Sequence, residues 1–179
     1  MENLIADSLA GNNSVVIAPC KPTTEQVPEI RLFLRYLWRE TYRGFLPPRV
    51  MEEVSSGWHS PEVLSLQVED PFFFFRTLKD DTGNIIGLIT TREFVEGVLS
   101  IDRLYVHPAY QGNGLGKMLL ECALGEFQSA KKLRLEVFRD NLRGLDFYRK
   151  RGFTITGKKQ ERIEGLLLDS LVMEKEVPR

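Results

Sequence analysis

Cysteine is scarce in this chain: two occur among 179 residues, Cys20 and Cys122, with no CxxC and no mixed Cys/His spacing. A disulfide scaffold and a structural metal site are thereby excluded, no metal is expected, and both thiols read as small core residues. Histidine is equally sparse, at two. His59 lies in a polar turn and His107 precedes a proline at a strand end, where it reads as positional, and neither has a visible Cys or Asp partner for a nucleophilic triad. Charge of one sign is missing too. The 24 Lys+Arg against 25 Asp+Glu leave a net charge of -1, which provides no global field for gripping nucleic acid or an anionic membrane. Recognition of any anion must be local. No apolar run approaches the roughly 18 residues of a membrane span, and Met1-Glu2-Asn3 is acidic and polar where a secretory signal is basic. The expectation is a soluble, cytoplasmic protein with no membrane or nucleic-acid partner. A hydrophobic content of 42% suffices for a core of one domain.

Hydropathic periods order the chain. Residues 1–13 show no sustained period and end in Gly11-Asn12-Asn13, so they read as a flexible tail ahead of a single domain at 14–179. Val15 to Ala18 is a short strand stopped by Pro19, and Val27, Ile30, Leu34, Leu37, Trp38 and Thr41 then recur at helical spacing. Pro47-Pro48 opens a second helix through Met51 and Val54, and Ser60-Pro61-Glu62 caps a third that ends near Asp70. From Phe72 the period becomes that of strands: Phe72 to Leu78, Ile85 to Thr91 and Leu99 to Val106, joined by turns at Asp80–Asn84 and Glu96-Gly97. A helix follows from about Leu115 to Ser129, then a strand at Leu133 to Phe138, a helix from about Asn141 to Arg151 stopped by Gly152, and strands near Phe153–Lys158 and Leu166–Lys175. With no repeat and no linker, the pattern predicts one mixed α/β (α+β) domain, about seven mostly antiparallel strands flanked by helices.

The most informative segment runs from Leu104 through Val106 and His107-Pro108 to Gln111-Gly112-Asn113-Gly114-Leu115-Gly116-Lys117, where a strand feeds a turn that feeds a helix. Glycines let the backbone approach a ligand closely, and the free N–H groups and positive dipole end of a helix N-terminus attract phosphate. Two familiar phosphate loops fail on spacing. Gly116-Lys117 is followed by Met118 rather than Ser or Thr and position 111 is Gln, so the loop is not a Walker sequence. After Gly112 and Gly114 the third glycine falls one position early for a dinucleotide fingerprint.

The hexapeptide Gln111–Gly116 matches the Q/R-x-x-G-x-G/A signature and resembles the GNAT superfamily of acyl-CoA-dependent N-acetyltransferases. The inferred order of elements from Val15 to about Lys175 is similar to the whole family fold, as are Trp38–Tyr42 upstream and Tyr148–Phe153 downstream. The resemblance implies that the backbone from Gln111 through Gly112, Asn113, Gly114, Leu115 and Gly116 to Lys117 holds the pyrophosphate of acetyl-CoA, the acyl donor. It implies further that Leu104, Tyr105 and Val106 offer main-chain groups to the pantetheine arm, because in this family that strand splays from the one beginning near Leu133, and unpaired backbone groups there can satisfy an amide-bearing ligand. By the same resemblance Asn141 bonds the cofactor arm and the Tyr148 hydroxyl stands near the thioester sulfur as proton donor, the two sharing one helix face, although a cap and a core aromatic are their plain structural readings.

A base or water path for the amine is expected, and the sequence does not identify it; Glu40, Glu93, Asp102 and Glu136 lie on elements that could face the cleft, each reading as an ordinary solvated or paired carboxylate. Cys122, inside a helix, is a poor nucleophile, so transfer by direct attack in a ternary complex is expected. Trp38, Tyr42, Phe45 and Trp58 could wall an acceptor site, and Trp38–Pro47 looks similar to small-molecule members of the family, including polyamine acetyltransferases. The implied acceptor is a polyamine-like or amino-acid-like primary amine; a protein or peptide acceptor, a non-catalytic CoA sensor and a homodimer stay open.

Overall fold

A computed structural model describes residues 17–178 of the chain, with the side chain of Ile17 excluded. The tail expected at residues 1–13, and Val15 and Val16 of the first strand, lie outside the described residues. Strands β1 (Ile17–Cys20), β2 (Phe73–Lys79), β3 (Ile85–Val95), β4 (Val98–Val106), β5 (Lys132–Phe138), β6 (Thr154–Ile163) and β7 (Leu166–Glu176) form one sheet in the order β1-β2-β3-β4-β5-β7-β6. Helices α1 (Val27–Tyr42), α2 (Pro48–Gly57) and α3 (Pro61–Glu69) come before β2, α4 (Leu115–Glu126) joins β4 to β5, and α5 (Leu142–Arg149) joins β5 to β6. Every pairing is antiparallel except β4 with β5, the pair whose connection is long enough to hold a helix. Among the described residues no helix is long and apolar enough to cross a membrane.

Local chemistry accounts for most boundaries. Ser60 Oγ accepts from the Val63 N–H at 3.2 Å with Pro61 in the first turn, which starts α3 where the cap was expected. Asp80 Oδ1 accepts from the N–H groups of Thr82 (3.0 Å) and Asn84 (2.9 Å), closing the β2–β3 turn. Of the boundaries that differ from the sequence reading, three have a direct cause in the packing. Strand β1 passes through Pro19 to Cys20, because an edge strand needs no ladder donor on its outer side, and this leaves Cys20 exposed rather than in the core. Helix α4 ends at Glu126: Phe127 leaves helical geometry and places its ring 6.0 Å from Phe74. Strand β6 continues to Ile163, since the hairpin with β7 keeps pairing as far as Ile163 with Leu166.

The sheet separates two layers of helices. In β2 the alternation of side chains sends Phe74 to the face covered by α4 and α5, with Leu119, Leu120, Ala123 and Leu145, and Phe75 to the face covered by α1 and α3, with Ile30, Leu34, Leu37 and Leu64. Full burial of one such side chain stabilises the fold by about 1.5–3 kcal/mol. A third cluster joins Trp38, Tyr42 and Leu46 to Val50 and Val54 of α2 and to Ile163 and Leu168 of the β6–β7 hairpin.

Two irregularities in β4 position everything that follows. Thr90 opposes Arg103 while Thr91 opposes Ile101, so Asp102 is the extra residue of a β-bulge. On the other edge, pairing with β5 runs from Val98–Lys132 to Ile101–Leu135 and stops, although β4 continues to Val106 and β5 to Phe138. The two strands therefore diverge from the bulge onward.

Candidate active site

The divergence opens one edge of β4 from Asp102 to Val106, while its other edge stays paired to β3 through Arg103–Thr90, Leu104–Ile89, Tyr105–Leu88 and Val106–Gly87. Backbone groups on the open edge have no strand to satisfy them. The strand runs directly into the glycine turn. Gly112 (φ 88°) and Gly114 (φ 78°) are both left-handed, a conformation that costs side-chain-bearing residues free energy, and they bend the chain so that α4 starts at Leu115. The first ladder bond of α4 is Met118 N–H to Gly114 C=O at 3.0 Å, which leaves the N–H groups of Leu115, Gly116 and Lys117 ahead of the ladder. Gly116 has a different reason to be glycine: an added Cβ would meet the Phe147 ring at 2.9 Å, so its absence lets α4 and α5 pack closely. The Gln111 side chain ties turn to strand, its amide donating to the Val106 carbonyl at 2.7 Å while its Oε1 is buried without a partner.

A cavity of about 1070 Å³ runs along this edge and under the glycine turn. It is lined by Leu104, Tyr105, Val106, Gln111, Gly112, Gly114, Leu115, Gly116, Asn141 and Tyr148, which brings these sequence-derived candidates to one space. Two do not line it. The Asn113 side chain donates to the Tyr110 carbonyl at 3.3 Å, and Lys117 lies along α4 with its Nζ 3.5 Å from Glu121. Asn141 caps α5, its Oδ1 accepting from the Gly144 N–H at 2.9 Å. Left-handed glycines, an orphaned buried Gln111 oxygen, helix-start N–H groups and an unpaired strand edge suit a ligand with phosphates at one end and amides along its arm.

Midway along the cavity three phenols gather. Tyr148 of α5, Tyr105 of β4 and Tyr42 of α1 each lie within electrostatic reach of another, with Asn141 beside the Tyr42 hydroxyl. Burial, reinforced by Tyr105, pushes the Tyr148 hydroxyl well above the ordinary phenol range, with Arg151 opposing weakly. Burial does the same to Tyr42 and Tyr105. Raised in this way, the three hydroxyls stay protonated near neutral pH and are available as hydrogen-bond donors. Tyr42 was singled out in the sequence only as an aromatic wall; its contact with the other two comes from the way α1 crosses the divergent end of β4.

The cavity also takes in residues of α1, α3 and the turn before α3, among them Trp38, Gln67 and His59. Of the carboxylates weighed as a base, two are elsewhere: Glu40 pairs with Arg43 at 3.4 Å, and Glu93 accepts from the Gly97 N–H within the β3–β4 turn. Asp102 and Glu136 do line the cavity. Glu136 is tied to Lys159 at 3.0 Å, whereas Asp102 lies 2.8 Å from Arg92 Nε, and its carboxyl is pushed up by burial despite that guanidinium and Arg103. His59 is no surface residue: it is 2% exposed, its ring 5.5 Å from that of Trp38, and burial with Arg103 and Arg31 nearby lowers its pKa from 6.5 to about 3. His107 is positional as expected, its Nδ1 accepting from the Ala109 N–H at 3.2 Å. Cys122 is half-buried in α4, and burial raises its pKa.

Comparison with known proteins follows the same lines. Residues 31–153 match the model of the acetyltransferase (GNAT) family. Spermine/spermidine N(1)-acetyltransferase of Bacillus subtilis strain 168 is 30% identical over 86 residues, which cover 42% of this chain and 57% of the relative. Peptidyl-lysine N-acetyltransferase YjaB of Salmonella typhimurium strain LT2 is 38% identical over 60 residues, covering 34% of this chain and 39% of the relative. The matched part of the chain thus spans little more than half of the one relative and less than half of the other. Among solved structures, the PaiA N-acetyltransferase of Thermoplasma acidophilum in complex with coenzyme A superposes with a TM-score of 0.75 at 25% identity, covering 91% of this chain and 99% of that one.

Proposed function

The chain belongs to the acetyltransferase (GNAT) family, and from that premise we propose that it transfers the acetyl group of acetyl-CoA to a primary amine of a small molecule, polyamine-like or amino-acid-like, by direct attack in a ternary complex. The observation that carries this reading is the divergence of β4 from β5 beside a turn whose two left-handed glycines start a helix, all on one cavity. The backbone of the glycine turn and the N–H groups at the start of α4 hold the pyrophosphate, a site made of dipoles that needs no net positive charge. The open edge at Leu104, Tyr105 and Val106 receives the pantetheine amides as a neighbouring strand would. Asn141 contributes its amide NH₂, since its oxygen is committed to capping. Lys117, paired along its helix, adds only a diffuse positive charge near the phosphates.

Acetyl-CoA supplies the thioester carbonyl that the amine attacks and the thiolate that departs. Tyr148 donates a hydrogen bond to that departing sulfur. Because burial raises its pKa, full proton transfer is uphill, and stabilisation of developing charge by a fixed donor is the larger part of its contribution. Asp102 takes the amine proton, directly or through one water: among the carboxylates weighed for this role it lines the cavity and has a raised pKa, and an elevated carboxylate is a better base near neutral pH. The test has two steps. Acetyl-CoA at 100 times its dissociation constant should add about 2.7 kcal/mol of stability in a thermal melt. Free-thiol release over a panel of polyamines, amino acids and peptides then separates small-molecule from peptide acceptors, and a melt that responds to NAD or ATP but not to acetyl-CoA would overturn the reading.

A further inference from the structure

The acceptor end of the cavity carries an arrangement of charge that chooses between amines. Asp102 lies 2.8 Å from Arg92 Nε, and the Arg103 guanidinium, which lines the same cavity, attracts the same carboxyl from farther away. Arg103 is 8% exposed and, among the described residues, has no carboxylate within ion-pair distance; its Nη1 donates to Gln67 Oε1 at 2.7 Å and its Nη2 to the Trp58 carbonyl at 2.7 Å, both neutral. Beside it is the buried His59, which Arg103 and Arg31 help to hold neutral. One polar atom of this wall, His59 Nδ1, is buried without a hydrogen-bond partner among the described residues, while the neighbouring Trp38 indole N–H is turned towards the Tyr105 hydroxyl; both residues line the cavity. Such an orphaned group is costly unless a ligand or water completes it. The other cavity carboxylates offer no free negative charge in exchange: Glu136 is paired with Lys159, Glu161 acts on the same ammonium, and Asp146 is paired with Lys150 at 2.8 Å.

We infer that the acceptor is an amine that also bears a carboxylate, seated with the amine towards Asp102 and the carboxylate towards Arg92 and Arg103. One fixed anion with two fixed cations on the same cavity is the complement of a molecule carrying both signs, and it repels a linear polycation, which would bring several positive charges to a site that already has an excess of them. The guanidinium forks are suited to a carboxylate, and the surrounding low dielectric strengthens the contact. Positive surroundings also lower the pKa of the bound amine, easing the loss of its proton. This assignment rests on the acetyl-transfer reading above and narrows its acceptor class.

Matched pairs test it directly: the purified full-length protein and acetyl-CoA, with free-thiol release measured for amino acids against the amines that lack only the carboxyl group, such as lysine with cadaverine, ornithine with putrescine and alanine with ethylamine. The carboxylated member should have a kcat/KM at least about tenfold higher, because its absence leaves the guanidiniums unmet. R92Q should raise the KM for the carboxylated acceptor about tenfold and erase the preference within the pair, with the KM for acetyl-CoA unchanged. Arg92 is the first choice because Arg103 also ties α3 to the sheet through Gln67 and Thr90, and R103Q is read only if its melting temperature is retained. Equal or better turnover of the amines lacking a carboxylate, turnover confined to polyamines or peptides, or no turnover of any carboxylated amine would each overturn the inference. The acetyl-CoA melt shift, measured in parallel, tells whether the underlying transfer reading fails with it.

Discussion

Ile101 and Leu135 are the last residues that pair β4 with β5, and the bulged Asp102 follows immediately, so the position that ends the strand contact also presents a carboxylate to the cavity. One local irregularity thus produces both the open edge for a cofactor arm and the candidate base. The predictions below take the parts of this arrangement in turn.

Gly114 has a positive φ of 78° with no heavy atom within 4 Å of an added Cβ. G114A should therefore cost only about 1–2 kcal/mol of folding stability, the penalty of a left-handed residue. Its effect on the turn proposed to receive the phosphates should be of similar size: the KM for acetyl-CoA is expected to rise about tenfold, with chemical denaturation as the control.

Gly116 faces the opposite situation, with the Phe147 ring 2.9 Å from where its Cβ would stand. G116A should destabilise the protein by about 1–3 kcal/mol through overpacking between α4 and α5. Truncation of the ring in a G116A/F147A double variant should recover part of the loss, giving a coupling term that a double-mutant cycle in urea would read.

Y148F removes the proposed donor to the departing sulfur and retains the ring that packs on Phe147 and Phe153, 5.1 and 5.3 Å away. A fall in kcat of about 100-fold, with acetyl-CoA affinity preserved, is the expected outcome. Unchanged turnover would remove Tyr148 from the mechanism.

Asp102 has a carboxyl raised above 3.8 by burial, which predicts an acid limb in the pH profile of kcat/KM displaced upward from the usual carboxylate range. D102N should abolish that limb and lower the rate at neutral pH, whereas a purely structural Asp102 would leave the shape of the profile intact.

His59 has a folded-state pKa lowered from 6.5 to about 3, so the unfolded chain binds its proton more readily between those values. The stability this group contributes is complete above pH 6.5 and is lost as pH falls towards 3, by about 1.4 kcal/mol per pH unit across that window. H59Q should flatten the acid limb of a stability-against-pH curve measured in urea, and an unaltered limb would show that the imidazole accepts its proton without cost.

Much of this molecule was legible before its structure. The hairpin series of β2, β3 and β4 was implied by the turns at Asp80–Asn84 and Glu96-Gly97, and the switch to a strand–helix–strand unit by the helix-length segment after Val106, because period and turn chemistry act over a few residues; the placing of β7 between β5 and β6 was not. The glycine turn was legible for the same reason. Boundaries failed where a distant partner decided them: Phe127 left its helix for Phe74, and β6 lengthened because β7 was there to pair with it. The candidate site divided in the same way. Gln111, Gly112, Gly114 and Gly116 stood together in one hexapeptide and line one cavity.

Arg92, His59 and Arg103 carried no local signal. They belong to β3, to the turn between α2 and α3 and to β4, and only packing of those elements sets the Arg92 guanidinium against Asp102, brings Arg103 within its electrostatic reach and removes an imidazole from water. By itself, then, the sequence determined the family, the run of elements and the backbone cradle, since these depend on residues adjacent in the chain. The resemblance implied that the strands part; tertiary structure alone decided that they do so after Ile101, which carboxylate faces the cavity and what charge surrounds it, because electrostatic environment and burial depend on distance in space.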